Sequence, residues 1–501
     1  MEIFRLTDTQ PAETPAHQPR AALPLGRRVR AGISLNLSSS VITEFIRFAR
    51  SVMLARLLVP EDFGLFGMAL TIVGALTALS TLGLSRTIVT SKFETTAELR
   101  SHLNTVWSLE ILRGFVIALV VSASAYPISL FYRQAQLKVI IPTLGLVALV
   151  QGFQNIGLVL LRKEISFARI FWYELATNAG GIVITLILAV IMRNVWALVI
   201  GMLLTSALGT ALSYIFHSFR PRFAFESHAV RRVLSLGKLT LVIAVASYVM
   251  NMGDNVMVGR LLGTSALGNY SLAFNIASAP ISVLVFSINT VLFPAFAEIT
   301  ARRPNELKPA FTKVFSFALM IIVMIAAPLF LLASEVIQVL FGSNWATAGT
   351  VLPILALVIP LRGLSMIIST FVWGLNRPKD VAVAATLEAV VFLAALYPLI
   401  RVFGLTGAAW AGMIAYSTAG VSRLITLNKI MPGISANLFR ISLSILAATG
   451  TGLLIAWVSL IPLTSPLPRM IFGGLLTTII PTAILLWFKA DLRKSLIDWL
   501  S

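Results

Sequence analysis

The stretch VMLARLLVPEDFG, from Val52 to Gly64, occurs again 204 positions later as VMVGRLLGTSALG, from Val256 to Gly268. Six positions are identical in the two copies, and they include an arginine pair, Arg56 and Arg260. The second copy runs in the same direction and lies about half a chain length away. The sequence therefore predicts two similar halves in a parallel arrangement.

The chain of 501 residues is 57% hydrophobic and only 12% charged, with a mean hydropathy of +0.90. Soluble domains carry roughly 25% charged residues. Continuous apolar runs recur that are long enough for the roughly 20 residues needed to cross a bilayer. Because lipid cannot satisfy open backbone groups, we predict membrane-spanning helices. A parallel repeat in such a chain is typical of transporters whose substrate path lies between the halves.

We predict an all-α integral membrane protein of about fourteen helices, numbered in chain order. Their ranges are 33–58, 63–84, 104–126, 137–161, 168–192, 195–218, 236–263, 266–296, 311–333, 346–375, 380–403, 406–428, 437–461 and 467–488. Helices 1–6 and 7–12 form two parallel repeats, which we expect to be arranged as a V-shaped bundle pair. The predicted segments are a tail at 1–32, an N-terminal bundle at 33–218, a basic linker at 219–235, a C-terminal bundle at 236–428, an extra helix pair at 429–488 and a tail at 489–501.

The formal net charge of +19 would suit nucleic-acid binding, but the placement of the charges favours another explanation. If both tails are cytoplasmic, the tails and loops on that side hold 27 of the 39 Lys and Arg residues, and the opposite loops hold five. This asymmetry follows the positive-inside rule. We therefore expect cytoplasmic termini, a multi-pass protein of the bacterial inner membrane, no removable signal peptide and no nucleic-acid partner.

Twelve ionisable residues lie inside the predicted helices, and each costs about 2.5–3.5 kcal/mol if it faces lipid. We expect most of them to face a wet cavity or one another. They are Glu44, Arg47, Arg50, Arg56, Glu110, Arg113, Glu174, Asp254, Arg260, Arg362, Glu388 and Arg423.

Helices 1 and 7 each carry a polar stripe when their residues are placed about 100° apart. The charged and amide members of the stripes are Glu44, Arg47, Arg50, Asn251, Asp254 and Asn255. The repeat places Arg50 on Asp254, and we hypothesise that these two side chains meet in at least one state as a charged latch. Separate pairing within each half, such as Glu44 with Arg47, is an equally weighted alternative. Arg56 and Arg260 lie off the stripes, where we expect them to snorkel or to brace the following loop.

Arginine presents a planar fork of donors that suits phosphate oxygens and stays charged in poor solvent. Arg362 and Arg423 have no acidic residue within four positions on their own helices, whereas Arg113 has Glu110 one turn away as a local partner. We therefore predict a cationic cavity for an anionic, phosphate-bearing substrate. Its candidate binding residues are Arg47, Arg50, Arg362, Arg423, Asn251 and Asn255.

Carboxylates inside a membrane can bind a proton or a sodium ion and couple its gradient to a conformational change. They can equally hold neighbouring helices together. The candidates for gating or ion coupling are Glu44, Asp254, Glu174 and Glu388, of which the last two occupy equivalent places in the repeats. We expect no cofactor and no metal site, because the four histidines lack metal-ligand spacing. No Walker-type glycine loop is present, so we do not expect ATP hydrolysis.

Several segments resemble Wzx-type polysaccharide flippases, in the polysaccharide-transporter branch of the multidrug/oligosaccharidyl-lipid/polysaccharide superfamily. They include ARLLVPEDFGLFGMA at Ala55–Ala69, LLRKEISFARIFWYE at Leu160–Glu174, MGDNVMVGRLLGTSALGNYSLAF at Met252–Phe274 and VLFPAFAEI at Val291–Ile299. The resemblance implies two six-helix bundles in a V around a central cavity that works by alternating access. It also implies an undecaprenyl-pyrophosphate-linked oligosaccharide as cargo, with a polysaccharide polymerase and a chain-length regulator as candidate partners beside membrane lipids.

Three other interpretations stay open. A cation-coupled multidrug exporter would need a cavity for cationic cargo, so arginines facing the cavity from helices 1, 10 and 12 would argue against it. An oligosaccharide polymerase or acyltransferase would need a long periplasmic loop or a histidine cluster, and the sequence offers neither. A passive membrane scaffold leaves the buried charges of the repeated helices unexplained. We expect a transporter and not an enzyme.

Overall fold

The computed structural model describes residues 42–80, 95–163, 167–225, 238–280, 304–463 and 465–488, together with Phe296 and Ile299. All regular secondary structure in these ranges is helical. The predicted tails at 1–32 and 489–501, the start of helix 1 and most of the basic linker lie outside the described residues.

The long helices are labelled α1 to α14 in chain order. They are 42–57 (α1), Pro60–Ser80 (α2), Thr96–Tyr132 (α3), Leu137–Gly152 (α4), Phe167–Met192 (α5), Trp196–Phe216 (α6), Lys238–Leu262 (α7), 264–280 (α8), Leu307–Leu331 (α9), Ala346–Gly374 (α10), Pro378–Phe403 (α11), Leu405–Ile430 (α12), Ile434–Leu460 (α13) and Pro466–Phe488 (α14). Eight of the described helices are long and apolar enough to cross a membrane on their own. The exact number of spans stays a prediction.

Predicted helix 4 is interrupted in the structure, where α4 ends at Gly152 and a short helix, Leu158–Lys163, follows. The break is held by Asn155, whose backbone N–H donates to Ser213 Oγ at 2.9 Å. The Asn155 amide donates to the Phe219 carbonyl at 2.7 Å. A continuous α4 would lose these bonds to the end of α6 and the chain beyond it, and the periodicity of α4 carries no sign of them.

Helix packing separates two bundles. In the N-terminal half, α3 packs on α4, α5 packs on α6, and α4 packs on α6. In the C-terminal half, α11 packs on α12 and α10 packs on both α9 and α12. The extra pair, α13 and α14, packs on α9. Between the halves, the most extensive described helix contact joins α2 to α7.

Successive helices run in opposite directions, so the bundle has two ends. We call the end at which α2, α4, α6, α10 and α12 finish the basic end, because the described basic residues at or just beyond these helix ends include Arg220, Arg222, Arg377, Lys379 and Lys429. The other end is the opposite end. The short connection between α1 and α2 and the one between α7 and α8 both lie at the opposite end.

The two copies of the repeated motif close the opposite end by reciprocal backbone contact. A β-carbon added to Gly64 would lie 1.9 Å from the Thr264 carbonyl oxygen, and one added to Gly268 would lie 1.9 Å from the Pro60 carbonyl oxygen. In each half, the first residue of a helix, Pro60 of α2 or Thr264 of α8, thus contacts the motif glycine of the other half. Only glycine permits this approach. The identical glycines of the motif therefore serve the junction between the halves.

The repeated arginines also cross between the halves, which differs from the loop-bracing role expected for them. Arg56 donates from Nε to the Leu340 carbonyl at 2.9 Å and from a terminal nitrogen to the Val339 carbonyl at 2.5 Å. Arg260 lies over the Phe131 ring, 5.4 Å from its centroid. Arg56 and Arg260 lie off the polar stripes, as predicted. Both side chains contact the other half of the protein and do not brace the following loop.

Candidate functional site

A central cavity of about 740 Å³ lies between the two halves. Helices α1, α2, α4, α5 and α6 line one side of it, and α7 and α8 line the other. Gln151 and Gln154 line it at the basic end of α4. The halves are held together at the opposite end, and α2 and α7 also touch further along, where the Tyr248 hydroxyl donates to the Thr71 carbonyl.

The lining of the central cavity is cationic and polar. Among the described residues that line it are two arginines, Arg47 and Arg50, and no aspartate or glutamate. Asn251 and Asn255 line it from α7. Four of the six predicted binding residues therefore face one cavity, as their helical arcs indicated.

The two cavity arginines differ in their partners. Arg47 donates to Glu44 at 2.9 Å, which is the pairing within one half that we considered as an alternative to the latch. Arg50 has no hydrogen-bond or ion-pair partner among the described residues. Arg50 is therefore the guanidinium most available to an anion in the central cavity.

Asp254 does not meet Arg50 in this conformation. Its side chain is 2% exposed and accepts a hydrogen bond from the Tyr270 hydroxyl at 2.7 Å and one from the Asn255 backbone at 2.9 Å. Asp254 therefore points into the C-terminal half while its neighbours Asn251 and Asn255 face the central cavity. The polar arc predicted for helix 7 was too wide to distinguish the direction of Asp254 from that of Asn251 and Asn255. A contact between Arg50 and Asp254 in another state stays a hypothesis.

A second cavity of about 610 Å³ lies inside the C-terminal half, between α7, α10, α11 and α12. We call it the C-half cavity. Arg362, Glu388 and Arg423 line it, and Asn251 lines both cavities. Arg362 donates to Asn251 Oδ1 and to Ser278 Oγ, each at 2.8 Å, and lies 5.1 Å from the centroid of the Phe274 ring.

Arg423 and Glu388 form a buried ion pair across α12 and α11, with nitrogen and oxygen 2.5 Å apart. Their side chains are 8% and 6% exposed. Arg423 also donates to Ser365 and Ser369, each at 3.2 Å. The sequence predicted Arg423 as a binding candidate and Glu388 as a coupling candidate but did not pair them, because they lie 35 positions apart on different helices.

The remaining carboxylates behave in two ways. Glu110 pairs with Arg113 at 2.8 Å, which confirms the predicted local pair. Glu174 is half-buried on α5 and is not among the residues that line the central cavity, although Thr177 and Asn178, one turn further along α5, are. Its role in ion coupling stays a prediction.

Within the described part of the chain, no cluster of three or more potential metal ligands occurs.

Several uncharged residues that line the central cavity were not predicted from the sequence. They are Gln151, Gln154, Tyr173, Thr205, Ser206 and Thr210. A signal was available for α6, since Thr205, Ser206 and Thr210 return to one face of an otherwise apolar helix. Tyr270, the buried donor to Asp254, was not predicted either, because nothing in the spacing of the two residues indicates that their side chains meet.

The fold is similar to solved transporter structures. One, titled "Lipid II flippase MurJ, inward closed conformation", aligns with a TM-score of 0.72 and 16% identity over 93% of this chain and all of that one. An inward-facing multidrug resistance MATE family transporter of the MOP superfamily aligns with a TM-score of 0.61 and 17% identity over 81% of this chain and 99% of that one. These likenesses show the fold.

Sequence relatives cover much of the chain. The succinoglycan biosynthesis transport protein ExoT of Rhizobium meliloti is 26% identical over 77% of this chain and 75% of its own length. The lipopolysaccharide biosynthesis protein WzxC of Escherichia coli is 26% identical over 68% of both chains. Residues 53–350, more than half of the chain, match the family described as "Polysaccharide biosynthesis protein", and the chain belongs to that family.

Proposed function

We propose that this protein flips an undecaprenyl-pyrophosphate-linked oligosaccharide repeat unit across the bacterial inner membrane, for exopolysaccharide or O-antigen biosynthesis. The observation that carries the proposal is the central cavity, which presents Arg47 and Arg50 and no carboxylate among its described lining residues. A pyrophosphate leaving water needs counter-charge and hydrogen-bond donors, and arginine supplies both.

The names of the relatives support a polysaccharide cargo. One is called a succinoglycan biosynthesis transport protein, and another, from Haloferax volcanii, is called a probable low-salt glycan biosynthesis flippase. A cation-coupled multidrug exporter is the second candidate, and the MATE-like fold favours it. The positive lining of the central cavity disfavours cationic cargo, because burying like charges together is unfavourable.

Alternating access would move the headgroup by separating the halves at the opposite end and bringing them together at the basic end. In this proposal the basic end is cytoplasmic and receives the loaded carrier lipid. Asp254 is then the strongest candidate for coupling to a proton or sodium gradient, because it is buried beside Tyr270 without an ion pair among the described residues. Glu388, in contrast, forms an ion pair with Arg423.

Gene deletion tests the proposal directly. Deletion should cause lipid-linked repeat units to accumulate in the inner leaflet, and the intact gene should reverse this. Arg47→Ala should restore less glycan export than the intact gene at equal membrane abundance. Arg440→Gln is the matched control, since Arg440 is an exposed arginine of α13 that lines neither cavity. Normal glycan output from the deletion strain, without accumulation, would contradict the proposed function.

A further inference from the structure

The C-half cavity differs in chemistry from the central cavity. Its three charged residues are engaged by side chains of the same half. Arg423 contacts Glu388, Ser365 and Ser369, and Arg362 contacts Asn251 and Ser278. A phosphate placed here would have to compete with these bonds. A pyrophosphate is therefore better served by Arg50 in the central cavity.

The rest of the C-half cavity is uncharged and mixed in polarity. Ser365 and Ser369 accept hydrogen bonds from Arg423, so each hydroxyl still has its own proton to donate. Trp373, which is 37% exposed, and Met366, which is 40% exposed, add apolar surface. Ser247, Thr370 and Tyr416 complete the described set of hydroxyl-bearing side chains that line the cavity.

Such a lining suits a sugar ring, which presents hydroxyl groups at its edge and a face of C–H bonds. Hydroxyl and amide side chains can bond the edge, and an indole can cover the face. Asn251 lines both cavities, so a ligand bound at Arg50 could extend past Asn251 into the C-terminal half.

We propose that the C-half cavity is a carbohydrate subsite, which binds sugar rings of the cargo through Trp373, Ser365, Ser369 and Asn251 while Arg47 and Arg50 hold the pyrophosphate. This proposal rests on the proposed function. It assigns the pyrophosphate of the cargo to the central cavity and the sugar rings to the C-half cavity. It reassigns Arg362 and Arg423 from direct phosphate binding to positioning the subsite.

Two lipids and two tryptophans test the division. Purified protein is titrated with undecaprenyl pyrophosphate, which carries no sugar, and with the lipid-linked repeat unit extracted from the deletion strain. Trp373→Ala should weaken binding of the sugar-bearing lipid about tenfold, the equivalent of about 1.4 kcal/mol. It should leave binding of undecaprenyl pyrophosphate unchanged, and Trp373→Phe should keep most of the affinity for the sugar-bearing lipid.

Trp410→Ala is the matched control, because Trp410 is 36% exposed, almost the same as Trp373, and lines neither cavity. Unchanged affinity of Trp373→Ala for the sugar-bearing lipid would overturn the subsite, and so would an equal loss for both lipids. Unaltered binding of undecaprenyl pyrophosphate shows that the variant is folded. Wild-type protein that binds neither lipid would overturn the proposed function itself.

Discussion

Arg50 and Asp254 occupy equivalent places in the two halves, and so do Glu174 and Glu388, yet their surroundings differ. In the N-terminal half, Arg50 lines the central cavity and Glu174 is half-buried. In the C-terminal half, Asp254 is bonded to Tyr270, and Glu388 is buried against Arg423. The N-terminal half thus offers the Arg50 charge to the central cavity, while side chains of the C-terminal half hold both Asp254 and Glu388.

The glycines of α6 and α12 show the same divergence. A β-carbon on Gly209 would lie 3.0 Å from Thr177 Cγ2, so α6 packs closely on α5. Gly420 takes the place of Gly209 when Gly201-Met202 of α6 is aligned with Gly412-Met413 of α12. A β-carbon on Gly420 would meet nothing within 4 Å. By contrast, Gly64 and Gly268 of the repeated motif contact the other half reciprocally. The comparison indicates that duplication preserved the junction and let the two cavities differ.

The largest expected effect comes from breaking the ion pair in one half only. Glu388→Gln leaves Arg423 buried without its counter-charge and should lower the free energy of unfolding by about 3–5 kcal/mol. Glu174→Gln, at the equivalent place, should cost far less because Glu174 is half-buried. Thermal unfolding in detergent compares the two. The double variant Glu388→Gln/Arg423→Gln should recover part of the loss, and equal effects of the two single variants would refute the asymmetry.

Removing the cavity cation should impair transport more than stability. Arg50→Gln removes a charged donor worth about 1.5–3 kcal/mol to a bound anion, so export should fall about tenfold or more. Arg50→Lys should retain part of the export, since it keeps the charge but loses the fork. Export is measured as surface polysaccharide at matched protein abundance. Full export by Arg50→Gln would show that this cation is dispensable.

Breaking the shared junction should shift the conformation. Gly268→Ala places a β-carbon against the Pro60 carbonyl, and overpacking of this kind costs about 1–3 kcal/mol. The chain has no cysteine, so a single cysteine at Thr205 reports access to the central cavity. A membrane-impermeant maleimide applied at the opposite-end face should label Gly268→Ala faster. Gly420→Ala is the control, and equal labelling of the two variants would contradict a closed junction.

The smallest expected effect is the difference between substituting Arg56 and substituting Arg260. Arg56→Gln loses two hydrogen bonds to carbonyls of the partner half, at about 0.5–1.5 kcal/mol each because both bonds are exposed to solvent. Arg260→Gln loses one cation–π contact, worth about 0.5–1 kcal/mol. The same labelling assay should therefore show a larger increase for Arg56→Gln. A larger increase for Arg260→Gln would reverse the proposed ranking of these contacts.

The sequence by itself determined the all-helical membrane fold, the parallel halves and the cavity-facing stripe of α1. These follow from apolar length, repetition and helical periodicity, which are local properties of the chain. Only the tertiary structure decided which charges pair across helices, as Glu388 does with Arg423. It also decided that Asp254 accepts a hydrogen bond from Tyr270 and does not face the central cavity with the rest of its polar stripe. It also decided that Gly64, Gly268 and Arg56 join the halves, because such contacts depend on helix packing between residues that are remote in the chain.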